Sequence, residues 1–171
     1  MTNVRLVLRL RSPRLDAHAL LGAARRLAAL AAPLARRRGA PAFDSVDVVL
    51  HGDRASRAAH FAVMGADSAT DVITLPYAAT PAGPARAELL VNPCEALRRA
   101  ARRDPATLLP EERALPWSPD LELALYLAHG FDHLALSDDV TAAGYRAMRR
   151  RELRWLAALA PLPRFFTQSR S

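Results

Sequence analysis

The sequence has a single cysteine, no lysine and few aromatic residues, and each shortage excludes a class of protein. With Cys94 alone, the chain has no internal disulfide and no cluster of thiolate ligands for zinc. A metal site would therefore use imidazole and carboxylate groups. Three tyrosines and two tryptophans argue against an aromatic platform on which nucleic-acid bases stack.

Long hydrophobic runs are also missing. The longest uncharged apolar stretch, residues 27 to 35, contains Pro33 and is far shorter than the roughly 20 residues that a membrane-spanning helix needs. Arginines interrupt the apolar residues between positions 4 and 11 before they reach the length of a signal-peptide core. We therefore expect a cytoplasmic protein without a membrane segment.

All 24 basic residues are arginine, and they give the chain a net charge of +7 and a sequence pI near 11.0. This balance favours polyanionic partners, because arginines that pair with phosphates release counterions from nucleic acid. A GC-rich genome would also produce many arginines and alanines and no lysine. The composition therefore leaves an RNA-binding surface and a compositional bias both open.

Alternating strand and helix patterns predict one domain over residues 1 to 160. Period-two alternation or β-branched runs predict four strands, at residues 4–11, 46–50, 70–76 and 88–92. Helical spacing and cap residues predict helices at residues 16–37, from 53 toward 65, from 93, from about 119 and from 141 to 160. Residues 161 to 171 are rich in proline and polar residues, which predicts a flexible tail.

Two histidines near the end of the chain have the spacing of a metal-binding pair. His129 and His133 are four residues apart, so on a helix they project from one face about one turn apart. Asp139 follows six residues later and can return from beyond the helix end as a third ligand. Such a site keeps an open coordination position, which suits hydrolysis because a divalent ion acidifies the water it binds.

These residues also have a structural interpretation. Histidines four residues apart occur on amphipathic helices that bind no metal, and Asp138 and Asp139 are suited to cap the next helix. His18, His51 and His60 stand alone in the sequence, as surface or core histidines do. Spacing alone leaves the metal site and the structural interpretation both open.

The residues around the histidine pair resemble a known family. Residues 129 to 139 read HGFDHLALSDD, and the YbeY family of ribosomal-RNA maturation endoribonucleases carries H-G-x-x-H-L-x-G-Y-D-H at that place. A Glu-Leu pair lies seven residues before this family motif, and here that pair is Glu122 and Leu123. The family methionine nine residues after the last ligand corresponds to Met148.

Upstream segments extend the resemblance over most of the chain, from about residue 4 to residue 156. The family strand Thr-Asp-Val-Leu-Ser-Phe-Pro resembles residues 70 to 76, which read TDVITLP. The following family strand, Gly-Asp-Ile-Val-Ile-Ser, resembles residues 87 to 92 more loosely. The matches occur in the family order and at similar spacings.

A second alignment of the motif places residues 130 to 133 on the Gly-Tyr-Asp-His of the family. It would put Leu123 and Leu127 where the first two metal histidines belong. It would also move Glu122 and Met148 away from their family positions. We therefore reject this alignment, because the first one keeps all of these positions and loses only one histidine.

The resemblance implies an α/β (α+β) fold, with a small mixed sheet of about four strands surrounded by helices. It implies metal-dependent cleavage of single-stranded RNA in ribosomal-RNA processing and ribosome biogenesis. His129, His133 and Asp139 would bind one zinc or another divalent transition metal ion, and His129 and His133 would be the catalytic residues. The implied partners are ribosomal RNA and the small ribosomal subunit, and the oligomeric state is left open.

The chain departs from the family pattern at four positions. The third histidine is Asp139, an oxygen donor that still binds zinc and shifts the preference toward harder metals such as manganese. Leu136 replaces the glycine of the family turn, and Ser137 replaces the tyrosine that follows it. Met64 stands where the family carries an arginine before its central strand. Because an arginine there would stabilise phosphate charge, Arg57 or another nearby arginine is a candidate replacement.

Two alternatives to an active nuclease follow from the sequence. Met64 favours a catalytically impaired, ribosome-associated factor in which the metal is structural. A zinc hydrolase of another substrate is compatible with the three ligands taken alone. A protease of the H-E-x-x-H type is disfavoured, because Gly130 stands where such an enzyme carries its general base.

Overall fold

The computed structural model describes residues 2–11, 13–104, 106 and 108–167. Four strands and five α-helices are found in this part of the chain. The strands are β1 (Asn3–Leu8), β2 (Ser45–Leu50), β3 (Val72–Tyr77) and β4 (Arg86–Val91). The helices are α1 (Ala17–Arg37), α2 (Asp53–Met64), α3 (Pro93–Arg102), α4 (Pro119–Leu134) and α5 (Ala142–Ala158), and a short 3₁₀ turn spans Pro110–Glu112.

The four strands form one mixed sheet in the order β1-β2-β4-β3. Strands β1, β2 and β4 run parallel, and β3 pairs antiparallel to β4. The parallel register places Val4, Val46 and Ala87 side by side, and all three side chains are buried on the face that carries the core. The predicted α/β class and the mixed sheet of four strands are confirmed.

Helix α4 is the centre of the domain. It packs against α1, α3, α5, β3 and β4. Side chains on all of its faces are buried, including Leu123, Leu127 and Phe131, as expected for a helix that is apolar on every side. A Cβ on Gly130 would lie 3.0 Å from Leu89 Cδ2, so glycine lets the helix approach the sheet closely beside His129.

Several predicted helix ends are confirmed. Asp16 caps α1 by accepting a hydrogen bond from the Ala19 amide at 2.9 Å, and Asn92 caps α3 by accepting one from the Cys94 amide at 3.1 Å. Gly52 is the cap of α2, and Asp53 is its first helical residue.

The strand ends lie within three residues of the predicted ones. Strand β1 ends at Leu8, three residues before the predicted end. Pro76 was expected to stop β3, yet the strand continues through it to Tyr77. Strand β3 lies at the edge of the sheet, where the missing amide donor of proline is tolerated.

Residues 161 to 167, which the sequence assigned to a tail, pack against the domain. Phe165 is fully buried, and the amides of Phe165 and Phe166 donate to Asp120 Oδ1 at 2.6 and 3.0 Å. The Thr167 amide donates to the Arg14 carbonyl at 3.1 Å. The packed part of the chain thus extends to residue 167, and residues 168 to 171 lie outside the described residues.

None of the helices in the described ranges combines the length and the apolar content that a membrane span requires.

We expect Asp120→Ala to lower the free energy of unfolding by about 1–3 kcal/mol, because two backbone amides lose their shared acceptor. Urea denaturation followed by circular dichroism measures the change. Asp120→Asn is the matched control, since its amide oxygen still accepts a hydrogen bond, and it should lose less. Equal stability of Asp120→Ala and the native protein would contradict the role of this carboxylate.

Candidate metal centre

His129, His133 and Asp139 come together at the carboxyl end of α4. The two Nε2 atoms are 3.0 Å apart, and the imidazole planes are nearly perpendicular, at 80°. Asp139 Oδ2 lies 3.6 Å from His129 Nε2, and Oδ1 lies 4.0 Å from His133 Nε2. One ligand atom from each residue lies within 4.8 Å of the others, so the predicted trio forms a candidate site for a metal ion.

The Nδ1 atom of each histidine is held by a second group. His129 Nδ1 is 2.7 Å from Glu152 Oε1, and His133 Nδ1 is 3.1 Å from the Ser137 carbonyl. Because a carbonyl and a carboxylate accept hydrogen bonds, these contacts place the proton on Nδ1 and leave a lone pair on Nε2. Both imidazoles therefore present Nε2 to the space in front of Asp139.

This donor set fits a divalent metal ion. Two Nε2 lone pairs that face each other at 3.0 Å repel unless a proton or a cation lies between them. Two imidazole nitrogens and one carboxylate oxygen are the ligands of many hydrolytic zinc sites. The three side chains remain partly exposed, so that water and a larger substrate can reach the centre.

Burial opposes protonation of His129, but its partners outweigh that effect. Burial lowers its pKa, whereas the hydrogen bond and charge of Glu152 raise it, with further contributions from the Asp71 and Asp139 carboxylates. The net result is a raised pKa for His129. The same negative surroundings that stabilise the imidazolium also attract a metal cation.

No family model matches the chain, but a comparison with curated proteins finds a relative. Endoribonuclease YbeY of Anaeromyxobacter sp. (strain Fw109-5) is 36% identical over 131 residues. The matched region covers 76% of this chain and 62% of that relative. The chain is a member of the YbeY family.

The turn that follows α4 departs from the YbeY pattern in a way that the structure explains. Leu136 occupies the glycine position and adopts a left-handed conformation with φ of 57°. For a residue other than glycine this conformation costs about 1–2 kcal/mol. The backbone is thus the one that glycine would adopt, and the turn still delivers Asp139 to the histidines.

Ser137, at the family tyrosine position, anchors this turn. Its hydroxyl donates to the buried Asp132 carboxylate and accepts from Arg38 and from Arg151 Nη2, the latter at 2.8 Å. Arg151 also bonds Asp132 directly, at 2.8 to 3.0 Å. This polar cluster, together with the Ser137 carbonyl on His133, holds the strained turn in place.

A chain of buried charges lies behind His129. Glu152, which is 1% exposed, also accepts a hydrogen bond from Arg149 at 3.0 Å. Arg149 Nε lies 3.2 Å from buried Glu112, an attraction without hydrogen-bond alignment, and Arg103 bridges to Glu122. Three carboxylates and two guanidiniums leave one surplus negative charge, which a cation at His129 would offset.

Glu152 is the site residue that the sequence reasoning missed. It is the one acidic residue in α5, among five arginines. A signal was present, because Met148, Glu152, Trp155 and Leu156 are spaced as one helical face and all four are buried. A carboxylate on an apolar face indicates a buried partner.

The family arginine position lies on α2. Met64 is 70% exposed at the end of this helix. Arg57, the candidate replacement, pairs with Asp67 through Nε and Nη2, both at 2.5 Å. Its guanidinium is therefore already engaged with a carboxylate on the surface.

We expect Leu136→Gly to raise the free energy of unfolding by about 0.5–1 kcal/mol, because glycine adopts the left-handed conformation without strain. Leu136 is 55% exposed, so little buried area is lost. Leu136→Ala is the matched control, since alanine keeps the strain and should give no gain. Thermal denaturation of the three proteins measures the effect, and a destabilised glycine variant would contradict it.

We expect Glu152→Gln to weaken zinc affinity about 10–100-fold, because the imidazole of His129 loses its charged partner. Competition with a chromophoric chelator measures the dissociation constant. Glu111→Gln serves as the control, since Glu111 pairs with Arg150 on the surface, away from His129. If both variants bound zinc as tightly as the native protein, Glu152 would be a structural residue only.

Proposed function

We propose that this chain is a metal-dependent endoribonuclease that cleaves single-stranded RNA in ribosomal-RNA processing. The observation that carries the proposal is the convergence of His129, His133 and Asp139 with both Nδ1 atoms already engaged. The name of the relative, Endoribonuclease YbeY, supplies the reaction class. Because the matched region spans 62% of the length of that relative, the activity of the relative is only proposed for this chain.

His129 and His133 would bind one divalent transition metal ion through Nε2, and Asp139 would bind it through a carboxylate oxygen. Zinc is the first candidate, and the oxygen donor also admits a harder ion such as manganese. The bound ion would supply Lewis acidity toward water and toward a phosphodiester oxygen.

The side chains around the ligands would prepare the site before the substrate arrives. Glu152 fixes the imidazole of His129, and the Ser137 carbonyl fixes that of His133, so neither ring has to reorient. Partial exposure of the three ligands leaves room for a polymer to lie across them. Such an arrangement suits cleavage within a strand of RNA.

Ribosomal RNA, the small ribosomal subunit and a cytoplasmic location belong to the same proposal. The net charge of +7 supports a polyanionic partner. Phosphate contacts of arginine would position the RNA without reading its sequence.

A second candidate is a catalytically impaired, ribosome-associated factor with a structural metal. The observation that favours it is the exposed Met64 at the arginine position of the family. In that case the protein would bind the metal and RNA without cleaving the RNA.

We expect His133→Ala to lose the bound metal and RNA cleavage, because one of three ligands is removed. Elemental analysis should give about one transition metal ion per native chain. A single-stranded RNA substrate reports cleavage. His60→Ala is the control, because His60 lies on α2 and its Nδ1 contacts the Ser68 carbonyl instead.

Two results would separate the proposals. Metal in the native protein without RNA cleavage, together with a large loss of thermal stability on chelation, would favour the structural factor. No metal in the native protein after reconstitution with zinc or manganese would exclude the metal centre.

A further inference from the structure

Positive charge is concentrated on two helices of the domain. Residues 17 to 38, which cover α1 and its cap, contain five arginines and no acidic residue. Helix α5 contains five arginines and one glutamate. These two segments carry +9 together, whereas the whole chain carries +7, so the remaining residues carry −2.

Both helices pack on α4, and side-chain hydrogen bonds link them at two places. At one end, Arg26 Nη2 donates to the Ala158 carbonyl at 2.5 Å. At the other end, Arg38 and Arg151 both donate to the Ser137 hydroxyl. The line between these two contacts runs between α1 and α5.

Helical spacing places two further arginines along this line. Arg37 is eleven residues after Arg26, which is about three turns, so it lies on the same side of α1. Arg154 is three residues after Arg151 and four before Ala158, so it lies on the same side of α5. We call the resulting set the arginine seam: Arg26, Arg37, Arg38, Arg151 and Arg154.

Most of the seam is not neutralised by the protein. Arg151 pairs with Asp132, at 2.8 Å. Within the described ranges, no carboxylate lies at ion-pair distance from the other four seam arginines, although the same chain pairs arginines with acids elsewhere, as in Arg57–Asp67. A genome-wide bias would supply arginine everywhere, but it does not explain why four of the five arginines in this row have no acidic partner among the described residues. Clustered like charges repel, and an anionic partner relieves that repulsion.

The seam leads to the candidate metal centre. At one end of the seam, Arg38 and Arg151 contact the Ser137 hydroxyl. The carbonyl of the same residue lies 3.1 Å from His133 Nδ1. From Arg26 to Arg38 the helix extends roughly 18 Å at about 1.5 Å per residue, a length that accommodates several phosphates of one strand. A strand bound along the seam would therefore reach the turn at Ser137, two residues before Asp139.

We propose that the arginine seam binds the phosphates of single-stranded RNA and directs the strand to the metal centre. This proposal rests on the endoribonuclease function proposed above, and it names the surface that the substrate occupies. The contacts are made to phosphate, so they carry no preference for base sequence.

The test uses the double variant Arg37→Glu/Arg154→Glu of the full chain. Both residues are exposed and have no side-chain partner among the described residues, so the fold should persist. The matched control is Arg25→Glu/Arg146→Glu, which makes the same charge change on the same two helices. Arg25 and Arg146 are also exposed, and they point away from the seam.

Fluorescence anisotropy with a labelled single-stranded RNA, at several salt concentrations, measures affinity. The seam variant should bind about tenfold or more weakly, and its slope of log affinity against log salt should fall by roughly 1–2, because about two phosphate contacts are lost. The control should change affinity by less than about threefold, and both variants should keep the metal content of the native protein. Equal losses in the two variants would overturn the seam while leaving the nuclease proposal intact.

Two further outcomes separate this proposal from its alternatives. If the seam variant keeps native RNA affinity but loses binding to vesicles that contain anionic phospholipid, the seam is a lipid-binding surface and the RNA proposal is overturned. If the native protein cleaves RNA and the seam variant cleaves it with unchanged KM, the strand follows another path. Absence of RNA binding by the native, metal-loaded protein would overturn the proposed function itself.

Discussion

The hydrogen bond between Glu152 and His129 connects the candidate metal centre to the interior of the domain. A carboxylate that is almost completely buried requires compensating contacts, and here Arg149 supplies positive charge and the imidazole of His129 a hydrogen bond. Helix α5 is therefore held against α4 by the same contact that orients His129. The packing of α5 and the geometry of the candidate metal centre depend on one side chain.

The turn after α4 shows how the family geometry survives a substitution. Leu136 keeps the left-handed backbone although its side chain disfavours it, and the Ser137 cluster stabilises the turn from the other side. Hydrogen bonds of Ser137 with buried Asp132 and two arginines offset the backbone strain that a glycine at position 136 would not have. The conformation that brings Asp139 to the histidines is thus maintained by polar contacts of residues around the motif.

Local patterns in the sequence were sufficient for the four strands and most helix ends, and the resemblance to the YbeY family supplied the α/β class. The i, i+4 spacing of His129 and His133 and the short distance to Asp139 were also readable, because all three residues lie within eleven positions. Glu152 was not found, since its role depends on how α5 lies against α4. Its neighbour in the charge network, Glu112, is 40 positions away in the chain, and no local pattern links such residues.

The same limit explains the differences at the carboxyl end. Proline and polar residues made residues 161 to 167 resemble a tail, yet Phe165 fills the core and two amides bind Asp120 at the start of α4. Phe166 also forms a β-bridge with Leu15, near the other end of the chain. This contact has a kinetic consequence: the amino end of the central helix is completed only when residues about 150 positions apart in the chain have met, so the domain closes through a long-range step. The candidate ligands His129 and His133, at the opposite end of α4, therefore belong to a helix that is complete only after that step.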